Sequence, residues 1–151
     1  MSDVTVRYCY GKIGYCDNLD ILLWLNTLKP LIEMDVCVMQ QIVPVAVENG
    51  HLNILQWLYD NGFFNVVFHV HQMTESYTKI FRGALKHGHF DIVTWIVALS
   101  SQVTVRKEDI ITTCYNGYLE IAQLLYDRDP TLFKDINYVE LCQIIIMGKN
   151  I

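Results

Sequence analysis

A chain of 151 residues with 52% hydrophobic and 18% charged side chains is long enough for one domain with a sizeable core, and too apolar to be disordered. Its formal net charge of -5, with no Lys/Arg run beyond two residues, excludes the concentrated basic patch that phosphate-backbone binding needs, so no nucleic-acid partner is expected. No apolar run approaches the ~20 residues of a membrane span, the N-terminus lacks the marks of a secretion signal, and five unpatterned cysteines suggest reduced thiols. An intracellular protein that does not enter a membrane follows from this, in cytoplasm or nucleus.

Residues 1–16 are ambiguous: Val4, Val6, Tyr8 and Tyr10 alternate as in a strand, and Gly11 and Gly14 weaken a helix. A clear helix at 19–27 follows, and it makes 1–16 the place for a first helix partnered with it. The motif Asp17-Asn18-Leu19-Asp20-Ile21-Leu22-Leu23-Trp24-Leu25 then recurs three times. It returns as GHLNILQWL from Gly50, GHFDIVTWI from Gly88 and GYLEIAQLL from Gly117, at spacings of 33, 38 and 29 residues. Self-similarity near this period is the signature of stacked helical repeats.

Positions can be counted from Asp17, Gly50, Gly88 and Gly117 as offset zero. Apolar residues then fall mainly at offsets 2, 4, 5, 7 and 8. Polar residues fall at offset 3 (Asp20, Asn53, Asp91, Glu120), and mostly at 6 (Gln56, Thr94, Gln123) and 10 (Thr27, Asp60, Asp127). Offsets 3, 6 and 10 share one helical face, which predicts a narrow wet stripe and a broad buried remainder. Such a helix must be sandwiched between neighbours. Gly50, Gly88 and Gly117 read as turns between paired helices, where glycine takes φ > 0 at little cost. Pro30, Gly62 and Pro130 read as stop signals.

First helices are predicted over roughly 40–49, 77–87 and 108–116, with Pro44 near the start of the first, since only the first turn of a helix tolerates proline. Ala46 and Ala84 share an offset and allow close helix approach. The linker 63–76 carries five extra residues (38 against 33) rich in β-branched and aromatic side chains. The last segment, 138–150, places Asn150 where a hinge glycine would stand and so reads as the first helix of a fifth unit.

The hinge and second-helix pattern resembles ankyrin repeats, over about residues 8 to 150. The first-helix opening Thr-Pro-Leu-His is absent; the aligned positions read Gln41-Ile42-Val43-Pro44, Lys79-Ile80-Phe81-Arg82 and Glu108-Asp109-Ile110-Ile111. The resemblance implies an all-α fold, an ankyrin-repeat solenoid of four helix-turn-helix repeats plus a C-terminal half repeat. That is a single domain over 1–151, with repeats near 1–30, 31–64, 65–100 and 101–130 and a half repeat over 131–151. It implies that 63–76 forms an elongated β-finger, and that His51 and His89, which follow hinge glycines, are structural. It further implies a non-catalytic scaffold that binds another protein on its concave and finger face. Carried over by position, the contact residues are Glu48, Asn49, Lys86, His87, Tyr115 and Asn116, joined by Asn65, Phe68, His69 and His71 of the finger. Tryptophan late in the second helix is similar to the divergent arrays of large DNA viruses and of protists, which would make the partner a host protein in a host cell.

His69, His71, His87 and His89 could in principle gather zinc, but with His89 structural only one exposed pair remains, so no metal and no cofactor are expected. There is no GxSxG, no Ser-His-Asp arrangement and no phosphate-binding glycine loop, so no enzyme is expected. Trp24, Trp57 and Trp95 share offset 7, which favours an inter-repeat core over an aromatic binding ladder. The last helix carries Leu141, Ile144, Ile145 and Met147 with little polar relief, and its unit lacks a second helix. This supports an alternative reading, a self-associating subunit that forms a homodimer through that helix.

Overall fold

A computed structural model describes residues 3–28, 36–64, 73–100, 103–134 and 136–137. Among them the regular structure is all helical and contains no strand. It comprises α1 (Asp3–Ile13), α2 (Leu19–Leu28), α3 (Val36–Asn49), α4 (Leu52–Asp60), α5 (Met73–His87), α6 (Phe90–Leu99), α7 (Lys107–Tyr115) and α8 (Leu119–Arg128), followed by a 3-10 turn at Pro130–Phe133. Consecutive helices pair as α1/α2, α3/α4, α5/α6 and α7/α8. The first helices pack in a row, α1 on α3, α3 on α5 and α5 on α7.

The wet stripe lies where the offsets put it. Gln56, Thr94 and Gln123 are exposed, as are Asp20, Asp91 and Glu120, while Asn53 is half-buried. Offsets 5 and 8 supply the core: Leu22, Leu55 and Val93, and Leu25, Leu58, Ile96 and Leu125. In α1 the buried residues are Val6, Tyr10 and Ile13, while Val4 and Tyr8 are exposed. That is an i, i+4, i+7 helical face, and it overrides the apparent alternation. Burial pushes the Tyr10 phenol up to about 12, since the phenolate would lose its water.

Three hinges are built alike. The N–H groups of His51, His89 and Tyr118 donate to the carbonyls of Ala46, Ala84 and Thr113, five residues back. The N–H groups of Gly50, Gly88 and Gly117 donate to Val47, Leu85 and Cys114. This pairing satisfies the last carbonyls of each first helix and requires a left-handed residue, here glycine at φ 75–78°. The first unit differs. Asp17 does not take positive φ, α1 ends at Ile13, and Asn18 Oδ1 accepts from Ile21 N at 3.0 Å to cap α2.

The residue after each hinge glycine reaches back to the preceding unit. A Cβ on Gly50 would lie 2.6 Å from Nδ1 of His89, and one on Gly88 would lie 2.5 Å from Cε1 of Tyr118. His89 Nε2 also bonds the Glu48 carbonyl at 2.9 Å, and His51 Nδ1 lies 3.7 Å from Asp17. Each ring thus covers the hinge before it.

Several expectations are corrected. The first helices begin earlier, at Val36, Met73 and Lys107, so Pro44 lies inside α3 and not in its first turn. The ring deprives the Gln40 carbonyl of its intrahelical donor, and both residues are exposed, so water can reach the break. The linker 63–76 is not a finger at its ends. Phe63 and Phe64 are helical and buried, and α5 begins at Met73. Phe63 stacks on Trp57 (5.4 Å between ring centroids), and Phe64 meets Tyr59, Tyr77 and Trp95 at 5.8, 6.4 and 6.2 Å. Burying these two rings offsets what an extended finger would leave wet. The tryptophans are not a closed core either: Trp57 and Trp95 are half-buried and Trp24 is exposed. Asn65, Phe68, His69 and His71 lie outside the described residues, as do Leu141, Ile144, Ile145 and Met147.

The hinge geometry separates two glycine roles within one chain. Gly117 needs only positive φ, because nothing within 4 Å meets its added Cβ, whereas Gly88 also has a ring in that space. Gly117→Ala is expected to cost about 1–2 kcal/mol, the left-handed penalty for an L residue. Gly88→Ala is expected to cost a further ~1–3 kcal/mol for forcing the ring aside. Urea unfolding of both variants measures the difference, and equal losses would mean that the Tyr118 ring yields freely.

Candidate functional site

The row of first helices presents one face to solvent, and its relief is set by the residue six before each hinge. That residue is Gly11 in α1, Pro44 in α3 and Arg82 in α5. The first two are short. Between α1 and α3 a groove runs along Tyr8, Gly11, Lys12, Tyr15, Gln40, Gln41, Pro44 and Val45. Between α3 and α5 a second groove of about 270 Å³ is lined by Gln40, Val43, Pro44, Val47, Glu48, Ser76, Lys79, Ile80 and Gly83. Pro44 borders both, as the ridge between them. The helices can run this close because Gly14 and Gly83 carry no side chain. A Cβ on Gly14 would lie 2.8 Å from Val45 Cβ, and one on Gly83 would lie 2.8 Å from Val47 Cγ1.

Between α5 and α7 the surface is crossed by a charged contact. There Arg82 reaches across and its Nε lies 3.3 Å from Asp109 Oδ1. The other Asp109 oxygen accepts from the Arg106 backbone N–H at 2.8 Å, capping α7. The Asp109 backbone carbonyl accepts from the Thr113 hydroxyl at 2.7 Å. An ion pair therefore bridges α5 and α7 at the position that Gly11 and Pro44 hold in the earlier units.

The chemistry of the open part is amphipathic. Tyr8 and Tyr15 are exposed, with the Lys12 ammonium 5.7 and 5.1 Å from their ring centroids, within cation–π range. Val43, Val47 and Ile80 give the second groove an apolar floor, and Glu48 and Lys79 stand on opposite walls. Lys79 pairs with Glu75 at 3.0 Å on its own helix.

Glu48, Asn49, Lys86, His87, Tyr115 and Asn116 are all exposed, as the carry-over by position requires. They sit at the C-terminal ends of α3, α5 and α7, or one residue beyond, and so border the grooved face at its hinge edge. Two are already engaged: Asn49 Nδ2 donates to the Val45 carbonyl at 2.8 Å, and the His87 ring stacks on His89 at 6.2 Å. Sequence reasoning missed Tyr8, Lys12, Tyr15, Gln40, Gln41, Pro44 and Lys79. A signal for part of this existed: Tyr15 stands at the same offset as Glu48, Lys86 and Tyr115.

Among the described residues no group of three or more His, Cys, Asp or Glu side chains is placed to hold a metal ion. The Cys114 thiol is pushed up by burial, away from the thiolate a nucleophile needs. No described helix is long and apolar enough to cross a membrane. No family model matches the chain, and neither does any curated protein or solved structure.

The Arg82–Asp109 pair is asymmetric, which makes it testable. Asp109 is the more buried partner and loses two interactions when removed, the ion pair and the cap. Asp109→Ala is expected to cost about 2–3 kcal/mol and Arg82→Ala only about 1 kcal/mol, given the partial exposure of the arginine. Urea midpoints of the two variants check the order, and a larger loss for Arg82→Ala would mean that its packing on α7 outweighs its charge.

Proposed function

We propose that the chain is an ankyrin-type helical solenoid that acts as a non-catalytic scaffold and binds another protein along its row of first helices. The observation that carries this reading is the pair of adjacent grooves across α1, α3 and α5, which share Gln40 and Pro44 on their borders, with an apolar floor in one and exposed Tyr8 and Tyr15 along the other. An extended segment of a partner could lay alternate side chains on either side of Pro44 and bond its backbone to Gln40 and Gln41. The exposed row Glu48, Lys86 and Tyr115 would then read the partner's flanking charge. Aromatic anchors beside small hollows are the usual centres of binding energy in such surfaces. The wet stripe on the second helices is mostly polar and solvated, and the hollow beside Glu120, Gln123 and Asp127 lacks a pair of exposed tyrosines.

Affinity capture from a lysate tests this against an internal control. A Tyr15→Ser, Lys79→Glu variant should lose at least about tenfold in captured partner, as expected for an aromatic anchor. A Gln56→Lys, Gln123→Lys variant on the wet stripe should capture as wild type does, with both variants natively helical by circular dichroism. Capture that depends on the wet stripe, or on neither face, would overturn the assignment.

A further inference from the structure

The period and the charges of the grooved face limit what it can hold. The two helix gaps have the same clearance: a Cβ added to Gly14 or to Gly83 would lie 2.8 Å from the valine opposite, Val45 or Val47. Helices packed this closely have axes about 8–10 Å apart. The row of α1, α3 and α5 is therefore a surface with a ridge at about that interval and a hollow after each of the first two ridges.

An extended segment crossing the row must repeat at the same interval to meet each ridge alike. A β-strand rises about 3.3 Å per residue, so three residues span one gap, but residues three apart then face opposite sides. A polyproline-II segment rises about 3.1 Å per residue with three residues per turn. One turn covers about 9.3 Å and brings residues three apart to the same side. This conformation alone of the two sets one side of the segment on the ridges and another into the hollows. Tyr8 and Tyr15 give the first hollow the exposed aromatic lining on which proline rings pack.

Charge then sets the register. Tyr15, Glu48 and Lys86 stand two residues before the hinge position, one on each ridge, and all three are exposed. Among the described residues neither Glu48 nor Lys86 has an ion pair, whereas Lys79 is held by Glu75 and Arg82 by Asp109. Helical side chains lean toward the helix N-terminus, so the Glu48 and Lys86 heads extend back over the level of Pro44. Resting on the scaffold reading above, we propose that the bound segment is proline-rich and crosses the row in the polyproline-II conformation, one turn per first helix, with a cation over Glu48 and an anion three residues away over Lys86. A proline or aliphatic residue between those two charges enters the hollow floored by Val43, Val47 and Ile80. The apolar contacts supply the affinity, and the exposed charges, each worth little, select the register.

An array of peptides of about ten residues, probed with the full chain, provides the test. Each peptide carries one Arg and one Glu, placed two, three, four or five positions apart, with proline and leucine elsewhere. Binding should peak at a spacing of three, by roughly threefold over two and four, as expected for a solvated ion pair gained or lost. Lys86→Glu should invert the preference, so that a peptide with Arg at both charged positions binds better than the Arg and Glu one. Glu48→Lys should do the same for a peptide with Glu at both. Both substituted residues are exposed, and circular dichroism verifies that the variants fold. A maximum at any other spacing overturns the proposal, an even one pointing to a strand. Binding that ignores both charge reversals overturns it as well, and so does binding to no peptide of the array. In those cases lysate capture that still depends on Tyr15 and Lys79 leaves the scaffold reading standing, and capture that does not removes both.

Discussion

The stacking depends on one recurrent contact, the ring that each unit lays over the hinge of the unit before. Two unrelated demands meet at Gly50 and Gly88. The Schellman-type turn needs a left-handed residue, and the His89 or Tyr118 ring needs the volume a Cβ would fill. Only glycine meets both. The ring does more than fill space, since His89 also binds the Glu48 carbonyl and so engages the end of the preceding first helix. Each hinge thereby fixes the position of the next helix pair, and the row of first helices follows from three such placements.

Once the row is fixed, the distance between first helices is set by small residues and the relief by the residue six before the hinge. Gly14 and Gly83 admit the close approach, while Gly11, Pro44 and Arg82 decide whether a hollow or an ion pair lies between neighbours. The second helices are held differently. They stand further apart than the first and are bridged by long aromatic side chains such as Tyr59 and Trp95. Flat rings span a wider gap at low entropic cost, which explains why offset 7 favours tryptophan without burying it completely.

Much of the fold was legible in the sequence because helical periodicity and hinge glycines are local signals. Offsets 3, 6 and 10 marked the solvated stripe even at Leu23 and Ala98, which are exposed despite being apolar. What escaped depended on tertiary context. Pro44 suggested a helix start, yet α3 begins at Val36 and carries the proline in its interior, with the orphaned Gln40 carbonyl on the exposed side. The linker suggested an extended finger over 63–76, but Phe63 and Phe64 are helical and buried beside Trp57 and Trp95, and 73–76 belong to α5. Asp17 matched the motif but does not take the left-handed backbone of the glycine hinges, and the first hinge is built around the Asn18 cap. The exposed residues before each hinge were found because their exposure follows from helix geometry alone. The grooves were not, because each needs residues from two units placed side by side.

Stability and surface relief consequently rest on separate positions. The hinge glycine, the ring after it, and offsets 5 and 8 carry the stacking, and each answers to a neighbour inside the molecule. The residues six and two before the hinge answer mainly to solvent: Pro44, Glu48 and Lys86 are exposed, and no hinge contact uses their side chains. Arg82 is the exception that defines the rule, because its charge is spent on Asp109 inside the array and its position is thereby withdrawn from the open face. A stacked fold of this kind can alter what its first-helix face presents, one unit at a time, while the ring-over-glycine contact holds the units in register.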